Sequence, residues 1–246
     1  TATCRDCDAS ASTITFTCCG KLPNDDFKQS SSTWARESYD GICYVSTATA
    51  RSRAYNCKTT VMPGVAMSSF TIQQKGCAMT AMATAINYYA NTYPDLGLST
   101  TTPADLNGKL KKLGREGYDL MGETKFTAIK IISNAQIVND PSINISSSSP
   151  LNARNVALES VRSNLKNGNP VIIKLQHVTK RNNKTSFGTH FVLAIGLCEN
   201  KYIISDPGNV LQTTLLDPNE TVVLNSTTGN TIGPVIGIRS FHKERQ

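Results

Sequence analysis

Cysteine, histidine and aspartate together can carry nucleophilic chemistry on a carbonyl, and this chain offers one well-placed member of each kind. Cys77 stands between Gly76 and the run Ala78-Met79-Thr80-Ala81-Met82-Ala83-Thr84-Ala85-Ile86-Asn87-Tyr88-Tyr89-Ala90. That run is Ala-rich and uncharged, so it predicts a helix buried on nearly every side, with the cysteine on its first turn. A helix N-terminus carries unpaired N–H groups and a positive dipole end, both of which stabilise a thiolate. Gly76 lets the entering backbone approach closely and turn. Taken alone, Cys77 also fits a small buried apolar residue or half of a disulfide.

A cysteine nucleophile needs a base near neutrality, and the chain holds 3 histidines. His242 lies in the charged tail Phe241-His242-Lys243-Glu244-Arg245 and reads as solvated surface. His177 follows the strand expected at Val171–Leu175. His190 opens the apolar strand Phe191-Val192-Leu193-Ala194-Ile195-Gly196, directly after the loop expected at Thr185–Thr189, where it is placed to meet a helix terminus across a cleft. One turn and one returning strand later comes Ser205-Asp206-Pro207-Gly208. The hairpin brings Asp206 back level with His190, as an orienting carboxylate must be. Asp-Pro-Gly is also ordinary turn chemistry.

The elements that must position these groups are legible in outline. Thr102-Pro103-Ala104-Asp105 opens a second helix with a capping-box-like pattern, lined by Leu106, Leu110 and Leu113 and ended by Gly114. Lys125–Ile132 fits neither helix nor strand period. Ser149-Pro150 starts a third helix with Leu158, Val161 and Leu165 inward and Gly168 at its end. Strands follow at Val171–Leu175, Thr189–Leu197, Lys201–Ser205, Val210–Leu215, Thr221–Leu224 and Val235–Arg239. Helices first and an antiparallel sheet afterwards give an α+β fold, with two layers on one core.

Composition narrows the class. The chain has 246 residues, 39% of them hydrophobic, enough for one sizeable domain and a small second one. No apolar run is long enough to span a bilayer. Opening on Thr1 rather than Met, the chain reads as a processed or trimmed product. Of its 8 cysteines, Cys4, Cys7, Cys18, Cys19, Cys43 and Cys57 precede residue 60, which implies an oxidising compartment and a disulfide-stapled unit over residues 1–65. A strand is expected within it at Ser12–Cys18, and residues 66–246 form the main domain. No histidine lies near these cysteines to complete a zinc site, and no metal or cofactor is expected. Sequons at Asn144, Asn183, Asn219 and Asn225 agree with secretion. The net charge of +7 is scattered rather than interleaved with aromatics, so nucleic acid is not the expected partner; at most the charge favours anionic surfaces such as cell-wall polymers.

Four blocks, Gly76–Ala83 with Asn87-Tyr88-Tyr89, Asn167–Ile173, Thr189–Gly196 and Tyr202–Gly208, closely resemble those of the peptidase C-thirty-nine-like branch of the papain-like cysteine peptidases, in that family's order. The resemblance covers roughly residues 65–240. It implies a papain-like fold in which Cys77 is the nucleophile, His190 the general base and acid, and Asp206 the orienting carboxylate, acting on a peptide or protein substrate through an acyl-enzyme. Relatives with that fold hydrolyse or form amide and isopeptide bonds. The oxyanion then needs the Cys77 backbone N–H and usually an upstream glutamine, for which Gln74 and Gln73 are the candidates, closer to the cysteine than in most such enzymes. Ala78 replaces the usual glycine after the nucleophile. The competing reading is a non-catalytic structural or binding protein on the same fold, in which Cys77 is bridged to Cys198. Cys198 lies an even number of residues from His190, hence on the same sheet face if the strand is regular.

Overall fold

The computed structural model describes residues 18–19, 26–45, 54–56, 67–119, 123–146, 149–181, 184–211, 215–225 and 229–244. In chain order the strands are β1 (Cys18–Cys19), β2 (Ser38–Val45), β3 (Ala54–Asn56), β4 (Met67–Thr71), β5 (Ile137–Asn139), β6 (Ile143–Asn144), β7 (Val171–Arg181), β8 (Lys184–Cys198), β9 (Lys201–Ser205), β10 (Leu215–Leu216), β11 (Val222–Asn225) and β12 (Asn230–Lys243). The helices are α1 (Ile72–Lys75), α2 (Cys77–Thr92), α3 (Pro103–Lys112), α4 (Ala128–Ile132) and α5 (Leu151–Lys166), with single 3-10 turns at Pro94–Leu96 and Gly114–Glu116. The large sheet runs in the order β10-β9-β8-β7-β12-β11, with β1 added on β8 and β5 and β6 on β12; a smaller sheet runs β3-β2-β4. Among the described residues every strand pairing is antiparallel, so the fold is α+β.

Side chains alternate across a strand, and here both faces of the large sheet are covered. On one face Ile172, Leu193, Ile195 and Phe241 meet Met79, Met82, Ile86 and Tyr89 of α2. On the other, Ile173, Leu175, Val192, Ala194 and Ile204 meet Ala157, Leu158, Val161 and Leu165 of α5. The sheet is therefore a middle layer between two apolar clusters, and the expectation of two layers on one core is corrected. α2 is buried almost all round, as its composition predicts, because α3, α4 and the Tyr39 region enclose its outer side. Tyr89 ties it to the sheet by donating to the Phe241 carbonyl at 2.9 Å.

Capping explains α3: the Thr102 hydroxyl accepts from the Asp105 N–H at 3.1 Å, and Pro103 takes the first helical position, where no N–H is needed. Lys125–Ile132 resolves into a turn and the one-turn helix α4. The hairpin arms are longer than hydrophobic alternation shows. β7 and β8 pair without interruption from Val171↔Ala194 to Arg181↔Lys184, so Thr185–Thr189 is strand rather than loop. These outer rungs hold little apolar residue, and the backbone ladder alone defines them. β12 likewise extends to Lys243, and His242 is part of it, paired in register with Val138 and 2.9 Å from Asp140 Oδ1 rather than free in a tail. Val210 and Leu211 are not strand; β10 begins at Leu215.

Residues 26–39 fall before the boundary expected at residue 65, yet Ala35 and Tyr39 are buried, and Tyr39 belongs to the α2 cluster. Of the strand expected at Ser12–Cys18 only Cys18, in β1, is among the described residues, and most of the cysteine-rich stretch lies outside them. Among the described residues, no helix is long and apolar enough to cross a membrane.

Because the Tyr89 hydroxyl and the Phe241 carbonyl meet inside the protein, Tyr89→Phe leaves a buried acceptor unpaired. Urea denaturation of that variant is expected to show a loss of about 1–3 kcal/mol with an unchanged m-value.

Candidate active site

Two close approaches build the cysteine end. The chain turns between α1 and α2 at Gly76, whose N–H donates to the Ile72 carbonyl at 2.7 Å; a Cβ there would lie 2.4 Å from that same oxygen. Only glycine allows the turn, by proximity and not by φ, which is −79°. Ile72 is fully buried and anchors α1. The ladder of α2 starts with the Thr80 N–H on the Gly76 carbonyl at 2.8 Å, so the amides of the first turn precede it. Cys77 sits there, half-buried, with a free thiol. Cys198 is disulfide-bonded to a different sulfur, so the bridge that would have removed the nucleophile does not form. The pairing of β8 with β9 shifts between Ala194 and Gly196, and Leu197 joins the same cluster as Ala194. That irregularity breaks the even-number rule which would have put Cys198 on the His190 face.

The imidazole end is built by the sheet. His190 lies inside β8, opposite Leu175, and not at a strand mouth. β9 returns with Ser205 opposite Leu193, and the next residue is Asp206. His190 Nε2 and Asp206 Oδ1 are 2.6 Å apart, with the two residues only 6% and 4% exposed. The carboxylate has two further donors: Oδ1 also accepts from the Gly208 N–H at 2.9 Å and Oδ2 from the Leu211 N–H at 2.8 Å. Gly208 is packed on the ring; a Cβ there would come within 2.7 Å of His190 Cε1.

Cys77 lies near enough to the same imidazole to favour its protonated form. With Nε2 given to Asp206, Nδ1 is the nitrogen left for sulfur. Burial works against the imidazolium, but the hydrogen bond to Asp206 and the nearness of Cys77, and then the charges of both, outweigh it and push the His190 pKa from 6.5 up to about 9. Burial would raise the Asp206 carboxyl; the hydrogen bond and charge of His190, then the Leu211 and Gly208 amides, hold it below its ordinary value. The three expected side chains are thus brought together from a helix start, a mid-strand position and a turn. An imidazole so held can take the thiol proton on one nitrogen while the carboxylate steadies the other.

The other histidines stand apart from this contact. His177 is in the middle of β7, not at its end, opposite Gly188 and on the same sheet face as His190 one step along the ladder. Burial, and then the His190 charge, depress its pKa.

The three glutamines near this end of the chain are engaged differently. Gln74 spends its side-chain oxygen on the Thr71 N–H at 3.0 Å, as part of the cap of α1. Gln73 is exposed, and its backbone carbonyl accepts from the side-chain amide of a third glutamine, Gln29 Nε2, at 2.7 Å. The Gln29 backbone N–H in turn donates to the Pro207 carbonyl at 2.9 Å. Gln29 therefore spans from the turn after Asp206 to the turn before Cys77, and its Oε1 is buried with no partner among the described residues. Nothing local in the sequence singles it out, since it lies far upstream, inside the cysteine-rich stretch.

A free thiol near an imidazole that a buried carboxylate holds, on an α+β scaffold, is an arrangement suited to thiol chemistry. The family comparison agrees: residues 53–223 match the model of the Peptidase_C39 like family, well over half of the chain, and the chain belongs to that family. Among solved structures it matches one titled as a candidate C39-like peptidase from Bacillus anthracis, with 15% identity, 70% of this chain and 90% of that chain covered, and a TM-score of 0.34. No curated protein matches.

Linkage gives the pH dependence its sign. His190 binds its proton more tightly in the folded state, so its contribution to stability is complete below about 6.5 and is lost as pH rises through about 9. Asp206→Asn, which cannot hold the imidazolium, is expected to flatten the fall in Tm across that window in a calorimetric pH series. Gly208→Ala, by pushing on the ring, is expected to slow Cys77 carboxymethylation at pH 7 several-fold while leaving the circular dichroism spectrum unchanged.

Proposed function

We propose that this protein is a thiol hydrolase that cleaves peptide or amide bonds through a thioester on Cys77. The observation that carries the reading is the imidazole of His190, held by Asp206 at 2.6 Å and buried, with the free thiol of Cys77 near enough to act on it. Sulfur attacks the carbonyl carbon; the C–S bond forms and the carbonyl electron pair moves onto oxygen. The backbone N–H of Cys77, on the open first turn of α2, and the side-chain amide of Gln29 are the donors for that oxyanion. Gln29 suits this because it bridges both ends of the site and one of its two Nε2 hydrogens remains after the bond to Gln73; Gln74, whose cap bond uses only its oxygen, is the alternative donor. As the C–N bond breaks, His190 Nδ1 gives its proton to the leaving nitrogen. It then takes a proton from water, whose oxygen attacks the thioester and releases the acid and the thiol.

Localisation outside the cytoplasm is part of the proposal, supported by the cysteine-rich N-terminal residues and the disulfide of Cys198. So is disulfide stapling within residues 1–65, of which Phe27, Trp34 and Tyr39 pack on the cluster around α2. Substrate class is proposed only as peptide, protein or related amide.

The test is labelling by a thiol-directed inhibitor together with hydrolysis of a peptide library. Labelling should fall on Cys77 alone, and Cys77→Ala should abolish both signals while still folding. Asp206→Asn should lower kcat about 100-fold or more, with labelling retained at a reduced rate. Absence of any turnover by a folded, singly labelled protein would contradict the hydrolase reading.

A further inference from the structure

Asp206 sits on a turn that belongs to no ladder. β9 ends at Ser205 and β10 begins only at Leu215, so the sheet does not by itself fix where the carboxylate points. The Gly208 and Leu211 amides hold the carboxylate from within the turn, and a segment from the far N-terminal side holds the turn itself. Lys28 Nζ donates to the Asp206 carbonyl at 2.9 Å, and the same ammonium lies 3.0 Å from Asp26 Oδ2. The Ser205 hydroxyl donates to Asp26 Oδ1. The Gln29 N–H donates to the Pro207 carbonyl at 2.9 Å. Ser205, Asp206 and Pro207 are thus gripped one after another by Asp26, Lys28 and Gln29. The gripping segment is itself anchored: Trp34 Nε1 donates to the Lys28 carbonyl at 2.8 Å, Trp34 and Phe27 meet edge to face at 5.6 Å, and both rings pack on the cluster that encloses α2.

We propose that Lys28 is a positioning residue: braced by Asp26, its ammonium fixes the turn Ser205–Gly208 and so keeps the Asp206 carboxylate against His190. Its action is geometric. The charge is matched by Asp26, and the bond it makes is to main chain, so it adds little field at the imidazole. A hydrogen bond as short as that between Asp206 and His190 tolerates little displacement, and the groups facing His190 are few: Asp206, Cys77 and, along β7, His177. When the turn loosens, Asp206 holds the imidazolium less well, the proton leaves at lower pH, and the paired state with the thiol is lost earlier. The kinetic arm of the test rests on the hydrolase reading; the labelling arm does not.

The test uses the full chain with Lys28→Met, which keeps the apolar stem and removes the donor, and Lys28→Arg, which restores one. The rate of Cys77 carboxymethylation is measured from pH 5 to 10. Its high-pH inflection is expected to fall by about one unit in Lys28→Met and to recover most of that in Lys28→Arg. On any substrate the wild type turns over, kcat of Lys28→Met should fall about tenfold with KM within about twofold, as expected when placement rather than binding is lost. Asp26→Asn, a milder change, should shift the inflection part of the way and serves if Lys28→Met does not fold. An inflection unmoved in a folded variant would overturn the proposal, as would a rate loss that follows only the unfolded fraction. Failure of the wild type to cleave anything would sink the hydrolase reading and leave the Lys28 result standing on labelling alone.

Discussion

The short hydrogen bond between Asp206 and His190 is the interaction on which the site depends. Both residues are withdrawn from water, where an isolated charge is strongly disfavoured, yet together they form a pair whose remaining lone pairs are met by the Gly208 and Leu211 amides. Breaking it by removing one partner would leave the other charge buried and unmatched. Its effect is directional: the carboxylate occupies one ring nitrogen and leaves the other to face the cysteine, which fixes the ring plane.

Everything around the bond serves to place three groups that the chain keeps far apart. The ladder between β8 and β9 sets the distance from His190 to the turn; the buried α2 and the contact point at Gly76 set the position of sulfur. Covering the sheet on both faces makes that frame stiff, since neither β8 nor α2 can shift without opening a packed cluster. The N-terminal segment closes the frame from outside. Through Gln29 it links the cysteine turn to the aspartate turn, two features contributed by opposite ends of the fold.

Much of this was legible beforehand. The α2 helix announced itself by composition, α3 by its cap and α5 by its apolar spacing, and Cys77, His190 and Asp206 follow from side-chain chemistry and the order of elements. What stayed hidden has physical causes. Outer hairpin rungs at Gln176–Arg181 and Lys184–Thr189 carry no hydrophobic alternation, because backbone pairing rather than burial holds them. The irregularity between Ala194 and Gly196 reverses side-chain parity without leaving any trace in residue type. Long-range polar contacts are the least visible: Lys28 and Gln29 look like ordinary surface residues until the fold carries them to the Asp206 turn, and Gln74, which looks catalytic from its proximity to Cys77, is engaged in a helix cap.

The central claim is that burial has been overcome and the imidazole of His190 keeps its proton through neutral pH, shared between carboxylate and sulfur. The most direct measurement is a nitrogen-15 NMR titration of the histidine rings in the wild-type chain, with His190 assigned by loss of its signal in His190→Gln. Both ring nitrogens of His190 should report the protonated form at pH 7, with a transition near pH 9. A ring that is neutral at pH 7, titrating at or below the ordinary value of a free histidine, would contradict the account.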